Sequence, residues 1–475
     1  MEVDEFLRNL WKVHLSVKEE GYAQDLSLGL FRSDYMLHAS DDGEPSSLKQ
    51  VEFNTISSSF GGLAALVSSL HTHLATFPTP STHLAYPPHE VFMQTPKDRG
   101  LSKSGFADPP PEADVNLPPT NDAIQVLVDG FSRAHQAYGI SKSQPQLPLC
   151  ILFLVQEDER NLFDQLALSS RSKFPVFRLP AKDILVHTFI DAQDPSRPLV
   201  YSPPSSTTRA RFEVTTIYFR ALYSPAEYTS QEFWAARLHL ERSAAIKCPS
   251  VLTQLAGSKK IQQILTSQSP VDHLCHFLPD VDNDTIASLR STFAPQYDLS
   301  PDSPGLSIAL DPERASNHVL KPQREGGGNN IYRTAIPPFL KSMPSSDSYS
   351  SYILMELIRP PQNATNIVLR SDGQVISGPV ISELGIFGAC LWRQRPKQPH
   401  KQHDLEGQNG KANVGHDVEI LHNIGGGYLV RTKNQDSDEG GVAAGFSSLD
   451  SVLLYDDDAD DDGEEVEKIA GTASK

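Results

Sequence analysis

Lys321-Pro-Gln-Arg-Glu-Gly-Gly-Gly-Asn-Asn330 decides how this chain is read. It follows Val319-Leu320, a short apolar run that reads as the end of a strand. Three consecutive glycines carry no Cβ, so the backbone there approaches a ligand closely and takes positive φ. Successive N–H groups then line a concave anion site. Lys321 adds a point charge, while Glu325, Asn329 and Asn330 add oxygen ligands suited to Mg²⁺. The stretch is not a Walker A loop, which needs Gly-Lys-Ser/Thr after its last glycine, and it is not GxGxxG. A Gly-Gly-Gly run by itself is more often a surface turn. A mere turn has no need of the flanking Lys, Arg, Glu and paired Asn, so these favour a ligand loop.

Composition frames this loop. The 475 residues suffice for two or three domains around a large core. A hydrophobic content of 39% with 8% aromatics fits a soluble globular protein. The net charge of −18 disfavours nucleic acid or an anionic membrane as a general partner. Part of that charge is local, since residues 456–467 hold six Asp and three Glu and read as a solvated acidic tail. Cys150, Cys248, Cys275 and Cys390 form no CxxC pair, which suits a reduced, cytoplasmic protein. The acidic start Met-Glu-Val-Asp-Glu lacks the apolar core of a signal peptide, and no apolar run is long enough to span a bilayer.

Upstream of the loop, apolar residues at helical spacing predict a helix over 3–20, stopped by Gly21. Arg32, after Leu28-Gly-Leu-Phe31, offers paired N–H groups to a carboxylate or oxyanion. On local sequence alone a surface ion pair with Asp34 is favoured. Gln50-Val-Glu-Phe-Asn54 alternates, so in a strand Glu52 and Asn54 share one face. That pair suits one Mg²⁺, or is a solvated face. Thr55-Ile-Ser-Ser-Ser-Phe-Gly-Gly62 precedes an apolar helix, and free N–H groups at its start suit a carboxylate ligand. Leu149–Val155 is fully apolar and reads as a buried parallel strand. The polar turn 156–161 and a helix follow it, a unit whose carboxyl end binds ligands in open α/β sheets. Val214–Arg220 is a further strand, followed by a helix from about Gln231 to Lys247. Lys259 stands at a helix start, against the dipole unless an anion sits beside it.

Downstream, Tyr352–Ile358 is a mainly apolar strand. In the strand Tyr428–Lys433, Arg431 and Lys433 share a face and need an anion between them. The histidines 400, 403, 416 and 422 do not keep metal-finger spacing and read as solvated.

KPQREGGGNN followed by Tyr332 resembles the glycine-rich loop of eukaryotic glutathione synthetases, which are ATP-grasp ligases. LGLFRSDYM, VEFNTISSSFGGL, VQEDERNLFDQ and EGGVAAG resemble further segments of that family, in the family's order, from about Asp4 to Leu454. The resemblance implies an α/β ATP-grasp fold with a parallel-sheet substrate domain and a glycine-rich lid. It implies ATP contacts at Glu52, Lys259, Lys321, Pro322, Gln323, Arg324, Glu325, Gly326, Gly327, Gly328, Asn329, Asn330, Tyr332, Met355, Glu356, Leu357, Ile358, Glu383, Lys433 and Glu439. Substrate contacts would come from Arg32, Ile56, Ser57, Ser58, Ser59, Glu159, Arg160, Asn161, Gln165, Arg220, Ala221, Leu222, Tyr223, Arg431, Val442 and Ala443. Mg²⁺ would be held by Glu52, Asn54 and Glu325, with Arg32, Lys259 and Lys321 as catalytic cations. The sequence departs from the family at Leu222, where a glycine is usual, at Leu357, where some members carry lysine, and at Glu439, where aspartate is usual.

The implied reaction joins γ-glutamylcysteine and glycine to glutathione through an acyl phosphate, with release of ADP and phosphate. The alternatives are a ligase for another amine such as β-alanine, and an inactive nucleotide-binding homologue. The expected division is 1–76, a Pro-rich insertion over 77–123, a substrate domain over 124–257, an ATP-grasp region over 258–455 with a loop insertion at 393–415, and the tail 456–475. Family members usually carry more chain before the first helix and form homodimers. The expectation is therefore an N-terminally short member with part of the stripe Val3, Phe6, Leu7 and Leu10, or a neighbouring surface, uncovered.

Overall fold

The computed structural model describes residues 4–39, 46–76, 117–191, 193–204, 210–267, 272–326, 328–361, 364–369, 373–394, 418–436, 442 and 447–452. Most of the insertion at 77–123, nearly all of that at 393–415 and the acidic tail lie outside these residues.

The expected first helix is α1, Glu5–Glu20. Asp4 caps it by accepting from the Leu7 N–H at 2.9 Å, and Gly21 ends it at φ +82°, a conformation other residues rarely adopt. Among the described residues of its stripe, Phe6 and Leu10, with Val13, pack with Val251 and Leu255 and against Tyr228 and Trp234, and Leu7 is partly buried beside them, so the expected bare patch is not found on Phe6 or Leu10; Val3 lies outside the described residues.

The strands β1 (Leu26–His38), β2 (Ser47–Asn54), β3 (Leu149–Val155), β4 (Val176–Pro180), β5 (Phe212–Phe219), β6 (Ile246–Cys248), β7 (His318–Pro322), β8 (Tyr352–Glu356), β9 (Val375–Gln394), β10 (Val418–Asn434) and β11 (Ser448–Asp450) carry the architecture. The large sheet runs β11-β10-β9-β1-β6-β5-β3-β4, with β2 on β1. From β4 to β1 the neighbours are parallel, and from β1 to β11 they are antiparallel. The fold is thus mixed α/β. A smaller antiparallel sheet is built on β7 and β8.

β3 shows why the all-apolar run becomes a central strand. Ile151, Phe153 and Val155 enter the core under the helix α3 (Ala123–Tyr138), and Cys150, Leu152 and Leu154 enter a second core on the other face. Each fully buried Leu, Ile or Phe contributes about 1.5–3 kcal/mol. The sequence-predicted helix to Lys247 overruns. It stops at Glu241, and Ile246–Cys248 is the strand joining the parallel half to β1. Ala-rich composition favours helix locally, but the slot between two strands gives Ile246 complete burial.

The two sheets meet at β2. The Gln50 N–H donates to the Thr292 carbonyl at 2.7 Å, and Lys321 on β7 donates to the Val51 carbonyl at 2.9 Å. A cleft of about 870 Å³ opens at this junction.

Candidate active site

Strand register assembles the charged floor of the cleft. β1 and β2 set Arg32 opposite Asn54 and Asp34 opposite Glu52, and β9 and β10 set Glu383 opposite Arg431. Arg32 forks onto Asp34, Nε to Oδ1 at 2.6 Å and Nη2 to Oδ2 at 2.8 Å, and its Nη1 donates to the Ser59 carbonyl at 3.0 Å. Asn54 and Arg431 also donate to Asp34 Oδ2, at 3.0 and 3.1 Å. The ion pair with Asp34 is therefore real, but it is buried, and Asp34 is its hub. Gly385 lies opposite Asp34, where a Cβ would stand 2.6 Å from Asp34 Oδ1 and 2.7 Å from Arg32 Cδ. Only glycine leaves room for the pair.

Two lysines face this floor. Lys259 opens the helix Lys259–Thr266 and its Nζ lies 3.0 Å from Glu52 Oε2, so the anion expected beside it is Glu52. Burial pushes the Glu52 carboxyl up, but Lys259, Lys321 and Arg431 overcome it and hold the group well below the usual carboxylate range. Burial also opposes charge on Lys259, yet Glu52 and Glu325 keep it above an ordinary lysine. Lys321 lacks such close compensation, and burial brings it down to about 8 against the pull of Glu52. Glu325 is pushed up to about 7 by burial, with Lys259 opposing and Glu52 and Asp34 adding to the rise. Glu383 is raised by burial despite its Arg431 partner.

Of the other residues expected at the nucleotide, Pro322, Gly326, Gly328, Asn329, Asn330, Tyr332, Met355, Glu356, Leu357, Ile358 and Lys433 line the cleft with Glu52, Lys259, Lys321, Arg324, Glu383 and Arg431. Gln323 does not line it. It is buried, and its Oε1 accepts the Lys260 N–H at 3.0 Å, tying the loop to the helix behind. Arg324 pairs with Asp4, the α1 cap, at 2.5 Å. Glu356 accepts the Tyr297 hydroxyl at 2.9 Å. The side chain of Met355 is buried beside Ala294 and Val319. The strand ends at Glu356, two residues earlier than the expected Ile358. Gly327, Glu439 and Ala443 lie outside the described residues, and Val442 is half-buried. Among the described residues no three carboxylates, imidazoles or thiols converge to hold an ion by themselves. Mg²⁺ commonly takes one or two carboxylates and completes its shell with water and phosphate.

The residues expected at the dipeptide surround a second region. Arg220 donates to the Ser57 carbonyl at 2.6 Å and to Ser59 Oγ at 2.7 Å, joining the end of β5 to the 55–60 loop. Ser57 donates to the Phe219 carbonyl, and Ser58 to the Leu30 carbonyl. Ile56, Ala221 and Leu222 belong to the second core cluster, so their side chains serve the fold. Glu159 accepts from the Asn161 N–H and from Gln165, while Arg160 is exposed. The hydroxyl of Tyr223 accepts from Gln156 at 3.2 Å. The N–H groups expected to await a ligand at the helix α2 (Gly61–Thr76) are occupied. Asp164 takes those of Phe60, Gly62 and Leu63 at 2.9, 2.7 and 3.2 Å.

Sequence reasoning missed Asp164 and also Glu227, which accepts the N–H groups of Leu222, Tyr223 and Ser224, and it read Asp34 only as a surface partner of Arg32. Asp34 had a signal, since it lies two residues from Arg32 and so on the same strand face. Asp164 had none, because its partners are about a hundred residues away.

The family model described as eukaryotic glutathione synthase, ATP binding domain, matches residues 1–454. Glutathione synthetase of Xenopus laevis is 34% identical over 468 residues, 96% of this chain and 80% of the relative. That of Homo sapiens is 36% identical over 452 residues, 94% of this chain and 79% of the relative. Among solved structures, a glutathione synthetase-like effector of Globodera pallida shares the fold with a TM-score of 0.57, at 18% identity, over 94% of this chain and 81% of that one. A cleft between two sheets, floored by paired cations and carboxylates and edged by a glycine-rich loop, is thus joined to sequence similarity along nearly the whole chain, which belongs to the eukaryotic glutathione synthase family.

Proposed function

We propose that this protein joins γ-glutamylcysteine to glycine with cleavage of ATP to ADP and phosphate, and that residues 258–455 hold the nucleotide and 124–257 the dipeptide. The observation that carries this reading is the meeting of Lys259, Lys321 and Arg431 with Glu52 at one cleft edged by the glycine-rich loop, with Arg32 buried behind them on Asp34, which Arg431 also contacts. The cysteinyl carboxylate oxygen attacks the γ-phosphorus, ADP leaves, and an acyl phosphate forms. The glycine amine then attacks the acyl carbon, phosphate leaves, and the ammonium proton is lost to solvent. Both steps gather negative charge on oxygen, which the fixed cations stabilise without reorganisation. No protein nucleophile is needed. Glu52, Asn54 and Glu325 are hard oxygen donors, the chemistry that Mg²⁺ takes, and would hold it. Bound there, the ion would act as a Lewis acid toward phosphate oxygens. Closing of the lid and of the glycine-rich loop would keep water off the acyl phosphate. The protein works in the cytoplasm as a homodimer, which sedimentation on purified protein tests. No helix among the described residues is long and apolar enough to cross a membrane.

Purified protein given ATP, Mg²⁺ and γ-glutamylcysteine should release phosphate on a sustained basis only when an amine is added, with glycine preferred to β-alanine. Equal release without the dipeptide would identify a plain ATPase. ATP affinity should also depend on pH. Lys321 is charged below about 8 in the free protein, and phosphate binding favours the charged form. ATP binding should therefore weaken as pH rises above 8, by up to about tenfold per unit. Calorimetry on wild type and Lys321→Met checks this, because the variant should be weak and flat with pH.

A further inference from the structure

We propose that Glu227 is a positioning residue for the dipeptide, acting through the turn that follows β5. That turn, 220–224, carries Arg220 and Tyr223. Leu222 adopts φ +65° within it, the left-handed region that L side chains avoid and glycine accepts. Its side chain is fully buried in the second core cluster, so the core has claimed a leucine at a position whose backbone suits glycine.

One carboxylate holds this conformation. Glu227 Oε1 accepts the Leu222 N–H at 2.9 Å, and Oε2 accepts those of Tyr223 and Ser224 at 3.0 and 2.9 Å. A fourth donor, Gln156 Nε2, reaches Oε1 at 3.1 Å and Tyr223 Oη at 3.2 Å. The carbonyl of Leu222 is fixed from the other side by the Tyr228 hydroxyl at 3.1 Å and by Gln254 at 3.4 Å. Three successive N–H groups on one acceptor need a carboxylate. Glutamine presents one oxygen, and its NH₂ would meet N–H groups that have nothing to accept.

The clamp fixes two things at once. It sets Arg220, whose guanidinium holds the Ser57 carbonyl and Ser59 Oγ, and it sets Tyr223, whose hydroxyl shares Gln156 with the clamp itself. The turn after β3 and the turn after β5 are thereby locked to each other through Gln156. Releasing the clamp lets Leu222 leave its strained φ, which swings the adjacent Tyr223 out of place. Loss should fall on the dipeptide, because Lys259, Lys321 and Glu52 sit on other elements.

This inference rests on the assignment of Arg220 and Tyr223 to the dipeptide, and the test separates the two. In the full-length protein, Glu227→Gln should raise KM for γ-glutamylcysteine at least tenfold, leave KM for ATP within twofold, and speed amide exchange at 222–224 but not in β3. Adding Leu222→Gly should recover most of the dipeptide KM at a lower melting temperature, since glycine takes the φ unaided but leaves a core cavity. Arg220→Lys and Tyr223→Phe are measured alongside. If these two raise the dipeptide KM and Glu227→Gln does not, the positioning role is overturned while the site stands. If none of the three changes it, the dipeptide assignment itself fails. An equal rise in both KM values with a fall in melting temperature would mean that Glu227 is merely structural, and would also overturn the proposal.

Discussion

Glu325→Ala should lose turnover by on the order of 10³ and keep its melting temperature, or raise it slightly. Glu325 sits in the glycine-rich stretch near Glu52 and Asp34, and burial with these neighbours pushes its carboxyl up to about 7 against the pull of Lys259. Its charged form is therefore opposed by the folded protein. Removing it relieves like-charge repulsion and leaves no buried partner stranded, since Lys259 retains Glu52 at 3.0 Å. A residue kept against stability is kept for what binds there. Glu325→Gln should be as inactive as the alanine, because it offers the metal a neutral amide oxygen. Phosphate release and a melting curve on both variants decide it. A fall of several degrees, or activity within tenfold of wild type, would show that the loop carboxylate serves the fold.

Arg32→Met should fail in the opposite manner, losing both stability and activity. Arg32 and Asp34 are 6% and 1% exposed at their side chains, and the guanidinium spends its N–H groups on both carboxylate oxygens and on the Ser59 carbonyl. Removing it leaves Asp34 with less than its full compensation and the 55–60 loop without its tie. Breaking a buried pair on one side costs about 3–5 kcal/mol. The melting temperature should fall clearly and turnover should drop by at least about a hundredfold. Arg32→Lys should not rescue, because one ammonium cannot span two oxygens and a carbonyl in fixed directions. The double variant with Asp34→Asn should recover much of the melting temperature but none of the activity. Recovery of activity would show that the cation at residue 32 does nothing for the substrate.

These two variants mark how differently the sequence exposes its site. Glu325 could be singled out from the sequence because the argument for it is local. It sits in a decapeptide whose glycines and polar neighbours favour a ligand loop over a plain turn. Lys259 was legible for a similar reason, as a cation at a helix start is a local contradiction. The strands at 149–155 and 428–433 were legible from their apolar runs and alternation. Arg32 read by itself as a surface ion pair, because a two-residue spacing says nothing about burial.

By itself, the sequence determined which segments can be strands, helices and loops, and which residue types are available for phosphate, metal and carboxylate. Those properties live in spacing and in side-chain chemistry, over ten residues or fewer. Only the tertiary structure decided how the charges are shared. Strand pairing set Asp34 among Arg32, Asn54 and Arg431, packing assigned Asp164 to the N–H groups of α2, and a slot in the sheet turned Ile246–Cys248 from helix into strand. The physical reason is that burial and register act between residues far apart in the chain. A charge inside the protein takes whichever partner the fold brings within about 3 Å, and nothing in its own neighbourhood of sequence names that partner.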